Sequence, residues 1–137
     1  MHKILVIDDD AAVSAAMQLI LETEGYSVAC AGGGEAGLAL LRTTDFDIAI
    51  VDMFMPGMSG LDTIAHIREQ TTRLPVIAIS GTAARVDRSG TSVDVLAKAK
   101  QLGTAAVINK PFRPRELIAT VERCLAEQAG GTAGAAS

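Results

Sequence analysis

The sequence predicts an α/β domain built on a parallel sheet, and three observations carry the prediction. Short apolar runs alternate with longer stretches of helical period, five times over. The run Ile48-Ala49-Ile50-Val51 is apolar throughout, as a strand covered on both faces must be. The chain has 137 residues, 49% of them hydrophobic and 20% charged, which is ordinary single-domain composition. A chain of this size should bury roughly 68% of the surface its unfolded form exposes, so neither disulfides nor a structural metal are needed for a core. Repeat arrays, collagen-like chains and disordered proteins are excluded.

The first strand is predicted over 4–7, after which Val13, Met17, Ile20 and Leu21 fall at helical spacing and Gly25 supplies a C-terminal cap. A second strand is expected over about 26–31. Gly32-Gly33-Gly34 then breaks the chain, and Glu35 opens a helix that ends near Thr43. The third strand, 48–51, stops at Asp52. Pro56, Gly57 and Gly60 mark a loop, Ser59 is a helix cap, and Leu61, Ile64, Ala65 and Arg68 carry a short helix.

Strand four is predicted over 75–79. Residues 81–91 have no clear period and read as a long loop before a helix holding Val95, Leu96 and Leu102. The fifth strand covers 105–109. Pro114 then opens a last helix with Leu117, Ile118, Val121 and Leu125 on one stripe, ending near Gln128. The domain is therefore expected over 1–128, with 129–137 as a flexible Gly/Ala-rich tail lacking large apolar residues.

Twelve basic and sixteen acidic residues give a net charge of −4 without a Lys/Arg block, which argues against nucleic-acid and membrane partners. The apolar start is too short for a signal peptide or membrane span, so a cytoplasmic protein is expected. Cys30 and Cys124 lack partners in sequence and are expected as reduced core residues. His2 and His66 are expected as surface or packing residues, without a carboxylate or cysteine partner at useful spacing. Among the methionines, Met55 is expected as core filler, and Met53 and Met58 as contact surface.

In a doubly wound sheet the strands point one way, and ligands bind beyond their carboxyl ends. Strand one ends in Asp8-Asp9-Asp10, strand three in Asp52, strand four in Ser80-Gly81, and strand five in Asn109-Lys110-Pro111. Taken singly, Asp10 reads as a helix cap, Ser80 as a turn residue and Lys110 as a solvated charge. Crowded on one rim, Asp8, Asp9 and Asp52 repel unless a cation sits among them or their pKa values rise. Mg²⁺ suits such a site, because it takes carboxylate oxygens and leaves positions for phosphate oxygens. A metal-assisted phosphoryl site follows.

Those residues carry a resemblance. The acidic pair Asp8-Asp9 after an apolar strand, the run from Asp52 through Met53, Phe54, Met55, Pro56, Gly57, Met58 and Ser59 to Gly60, Ser80 after strand four, and Lys110-Pro111-Phe112 after strand five together resemble the receiver domain of two-component response regulators over 1–128. The resemblance implies a flavodoxin-like (βα)5 fold with a five-stranded parallel sheet of order 2-1-3-4-5. Helices one and five would lie on one face and two to four on the other. It implies Asp52 as nucleophile toward the phosphohistidine of a sensor histidine kinase or histidine phosphotransfer protein. Asp9 and Asp52 would hold Mg²⁺ directly, with the Phe54 carbonyl as a further ligand and Asp8 acting through water. Lys110, Ser80 and the Gly81 amide would contact phosphoryl oxygens, and the Lys110-Pro111 peptide would be cis. With no output domain expected, a separate, unidentified protein would read the signal over the surface of the fourth helix, fifth strand and last helix, a face that could also form a homodimer.

Two positions depart from the family. Val107 stands where an aromatic residue usually swings inward, so either the switch is weaker or the 81–91 loop carries the change. Phe54 stands at the mouth, where it either slows loss of the phosphoryl group by excluding water or packs against that loop. Arg113 takes the place of a common acidic cap and is expected to face solvent. The chain is expected to assist its own phosphorylation and dephosphorylation without turning over a substrate. The rivals are a Mg²⁺-dependent aspartyl-phosphate phosphatase or phosphotransferase, disfavoured by the lack of a carboxylate two residues after Asp52, and an unphosphorylated docking module.

Overall fold

The computed structural model describes residues 2–80 and 99–136, with side chains described to Gln128. In chain order the elements are β1 (Lys3–Ile7), α1 (Ala11–Thr23), β2 (Ser27–Ala31), α2 (Gly34–Thr43), β3 (Ile48–Asp52), α3 (Gly60–Gln70), β4 (Val76–Ser80), β5 (Ala106–Asn109) and α4 (Pro114–Ala136). All four strand pairings are parallel, and the sheet order is β2-β1-β3-β4-β5. A helical turn at 99–101 precedes β5. The segment expected to hold a loop over 81–91 and a helix through Val95 and Leu96 lies outside the described residues, as does Gly81.

The sheet separates two apolar layers. Leu5, Ile7, Ala49, Val51, Val76 and Ala78 point to one side, where Leu38 of α2 and Ile64 and Ile67 of α3 cover them. Ile4, Val6, Ile48, Ile50, Ile77 and Ile79 point to the other, under Met17 and Leu21 of α1 and Leu117 and Val121 of α4. This is period-2 alternation with both faces covered, which explains why β3 and β4 are apolar without a polar stripe. Each fully buried isoleucine contributes roughly 1.5–3 kcal/mol relative to exposure.

Local chemistry sets the element ends. Asp10 caps α1 by accepting from Ala12 N and Val13 N, and Ser59 caps α3 by accepting from Asp62 N. Gly25 follows α1 at φ +96°, the left-handed conformation that an L side chain resists. The last helix continues to Ala136, where the sequence predicted an end near Gln128. Alanines at 129, 133, 135 and 136 favour helix strongly enough to carry the backbone through Gly130 and Gly131.

The thiols correct one expectation. Both cysteines are free and Cys124 is buried, but Cys30 is exposed. It lies on β2, an edge strand that pairs only with β1, so tertiary position overrides its apolar character. Met53, expected at the surface, is buried beside Met55. His66 has a carboxylate within reach after all, Glu69 at 3.5 Å, and His2 lies 3.7 Å from Asp47. Among the described residues no helix is long and apolar enough to cross a membrane.

Candidate functional site

Because β1 and β3 are adjacent and parallel, the residues at their carboxyl ends meet. Ile7 pairs with Val51, so Asp8 and Asp52 are the next residues along the two chains. Asp8 is held by its own N–H, which donates to Ala31 O at 3.1 Å, and its Oδ1 accepts from Asp10 N at 2.9 Å. Ser14 Oγ donates to the Asp8 carbonyl at 3.4 Å, tying it to α1. Asp52 Oδ1 accepts from Phe54 N at 3.1 Å. Asp8 and Asp52 are 1% and 5% exposed, while Asp9 is exposed and closes the rim from outside.

The three carboxylates each place an oxygen so that all three oxygens lie within 4.8 Å of one another. The Lys110 ammonium donates to Asp8 Oδ2 at 3.2 Å and to Asp52 Oδ2 at 3.5 Å. The Lys110-Pro111 peptide is cis. Lys110 N also donates to Ser80 O at 2.7 Å, joining the ends of β4 and β5. Ser80 is buried at the end of β4, one strand over from Asp52.

Burial pushes the Asp52 carboxyl above the ordinary carboxylate value. The Phe54 N–H opposes that rise, the adjacent Asp8 adds to it, and Lys110 offsets it. Three carboxylates therefore face one ammonium among the described residues, an imbalance that a hard cation would relieve. Oxygen donors alone, clustered at this spacing on one open rim, fit Mg²⁺ rather than a thiophilic metal.

The structure thus brings together Asp8, Asp9, Asp52 and Lys110, with Ser80 at the adjoining strand end and the Phe54 amide on the Asp52 carboxylate. Phe54 is half-buried and packs against the α2–α3 layer with Val107. Arg113 is exposed at the start of α4.

Gly60 went unnoticed as a site residue in the sequence. Its N–H donates to Met53 O at 3.2 Å, and a Cβ there would run into the Asp52 carbonyl oxygen and Met53 Cα. The first residue of α3 must be small because it lies directly on the backbone that carries Asp52. Its local signal is a loop glycine, which tells nothing of a tertiary approach. A shallow concavity of about 260 Å³, lined by Asp8, Asp9, Ser14, Gln18 and Cys30, opens beside the cluster. A larger one, about 390 Å³, lies at the opposite end of the sheet around Asp47, Arg73 and Pro75, away from any of this chemistry.

Comparison with known proteins agrees with this geometry. The family model described as response regulator receiver domain matches residues 4–122. The chain is 36% identical over 125 residues to the transcriptional regulatory protein CpxR of Klebsiella pneumoniae subsp. pneumoniae (strain HS11286), covering 91% of this chain and 50% of that protein. CpxR of Escherichia coli (strain K12) matches to the same extent, so the chain spans about half the length of these curated relatives. Among solved structures, the CheY-like receiver domain protein of Methanospirillum hungatei JF-1 superposes with a TM-score of 0.86 at 29% identity, covering 96% of this chain and 98% of that one. The receiver domain of NtrX from Brucella abortus gives 0.80 at 28% identity, covering 90% and 98%. The chain belongs to the response regulator receiver domain family.

Proposed function

We propose that this receiver accepts a phosphoryl group on Asp52 from the phosphohistidine of a histidine kinase or phosphotransfer protein, in a Mg²⁺-dependent step. The observation that carries the reading is the placement of Lys110 against both buried carboxylates, beside three carboxylate oxygens within 4.8 Å of one another. In the transfer, the P–N bond of the donor breaks, a bond forms between phosphorus and an Asp52 Oδ, and the departing imidazole nitrogen takes up a proton. The product is an acyl phosphate on Asp52.

The roles follow from position. Asp9 and Asp52, with the Phe54 carbonyl, would hold Mg²⁺ directly and Asp8 would act through water; the bound ion would neutralise charge on the phosphoryl oxygens. Lys110, released from the carboxylates that it spans, would pair with a second phosphoryl oxygen, and Ser80 with the Gly81 amide would donate to a third. Gly60 and the Phe54 N–H hold the Asp52 end of β3 in place. Phe54 shields the acyl phosphate from water. The domain acts as a phosphoacceptor that assists its own chemistry and turns over no separate substrate. It works in the cytoplasm and passes its state to a second protein across the surface of β5 and α4.

The test is labelling by acetyl phosphate with Mg²⁺, read by intact mass beside Asp52→Asn. One added phosphoryl group that requires both the metal and Asp52 is expected. Labelling that persists in Asp52→Asn would overturn the assignment of the acceptor. No adduct from acetyl phosphate, and no response to beryllofluoride, would leave a docking module instead.

A further inference from the structure

Arg68 stands on α3 with its guanidinium half-buried and no carboxylate partner among the described residues. Its planar fork is used on backbone alone. Nη1 donates to Leu74 O at 2.7 Å, Nε to Leu102 O at 2.9 Å and Nη2 to Gly103 O at 3.0 Å. Leu74 precedes β4, and Leu102-Gly103 forms the turn that leads into β5, with Gly103 at φ +79°. One side chain therefore ties together the N-terminal ends of two adjacent strands, with donors in a fixed relative geometry.

What those strands carry at their other ends matters. β4 ends in Ser80 and β5 runs into Lys110, whereas Asp8, Asp9 and Asp52 belong to β1 and β3. β5 is short and has a neighbour on one side only, so its placement depends on few bonds besides its pairing with β4. Its leading turn also buries the Thr104 hydroxyl, which has no partner among the described residues, so that turn is not strongly held by its own polar contacts.

We propose that Arg68 is a positioning residue for the anion-binding half of the site, setting β5, and hence Lys110, relative to β4 and Ser80, while leaving the metal-binding half to β1 and β3. The proposal rests on the phosphoacceptor reading above and predicts a split between two properties of one site. Loss of the three bonds should let β5 shift against β4, and a displacement of even an ångström at a charge-stabilising group is costly to transfer. The carboxylate cluster has no such dependence.

The experiment compares the native protein with Arg68→Met, which keeps the apolar stem, and Arg68→Lys, which keeps the charge and a single donor group. Mg²⁺ affinity is read by calorimetry with the metal alone, and labelling rate by acetyl phosphate at saturating Mg²⁺. Arg68→Met should label about tenfold slower or worse with Mg²⁺ affinity within about twofold of native, and Arg68→Lys should fall between. An unchanged rate, or rate and metal affinity falling in step, overturns the proposal. Amide hydrogen exchange supplies a readout that needs no phosphoryl chemistry. Faster exchange confined to the β4–β5 pair supports the staple, and exchange raised equally across the sheet or nowhere overturns it. A native protein that fails to label would count against the phosphoacceptor reading, while the exchange result would still decide the role of Arg68.

Discussion

β3 runs through the middle of the sheet with neighbours on both sides, whereas β5 closes its edge and pairs only with β4. Every residue of β3 is buried; β5 has one buried residue, two half-buried and one exposed. Both strands nonetheless deliver a charge to the same point, Asp52 from β3 and Lys110 from the end of β5. The contrast teaches how the site divides its labour. The carboxylate that would form a bond is fixed by the densest part of the core and by α3 packed on its backbone. The ammonium comes from a strand held by one neighbour and an arginine staple.

The largest expected effect tests the core side of this contrast. Ile50 lies in the middle of β3 and is 0% exposed, so Ile50→Ala should cost about 3–4 kcal/mol in urea unfolding, through lost transfer energy and a residual cavity. Val107 on β5 is half-buried, and Val107→Ala should cost only about 1 kcal/mol. Equal costs would erase the distinction between the two strands.

A smaller effect concerns the mouth. Phe54→Asn should lose its phosphoryl group several-fold faster than the native protein, measured as decay of the labelled species after removal of the donor. Decay at the native rate would leave Phe54 as a packing residue of the α2–α3 layer.

The smallest is a pH effect on the cation-free protein. Asp52 binds its proton more tightly when folded than when unfolded, because burial, with Asp8 adding to it, outweighs the Phe54 N–H and Lys110. Folding is therefore undisturbed by this group below the ordinary carboxylate range and loses stability as pH rises through the raised folded value. Asp52→Asn lacks the group, so its melting temperature should pull ahead of native across that window by a few degrees and then level off. A difference that does not change with pH would refute the asymmetric burial of the two charges.

Much of the fold was legible because its signals are local. The uniform Ile48-Ala49-Ile50-Val51 run announced a strand covered on both faces, and Asp10 and Ser59 announced the helix starts that they cap. The acidic cluster was legible for a topological reason, since parallel strands bring their carboxyl ends to one rim whatever lies between them. Other features were illegible because they exist only after folding. Arg68 looked like an ordinary polar residue on a short helix, and its three carbonyl partners lie 6 to 35 residues away. Gly60 looked like loop punctuation until the Asp52 backbone was found against it. Cys30 looked like core because its neighbours on β2 are apolar; edge position, invisible in sequence, exposed it.

That exposure has a practical side. The chain contains no tryptophan and a single tyrosine, so its native fluorescence says little. Of its two thiols only Cys30 is open to solvent, and it shares a concavity of about 260 Å³ with Asp8 and Asp9. Burial raises both thiol pKa values, so a thiol-reactive dye added at mildly alkaline pH would find one accessible target without mutagenesis. The molecule carries its own attachment point for an optical probe, one residue type away from the chemistry it would watch.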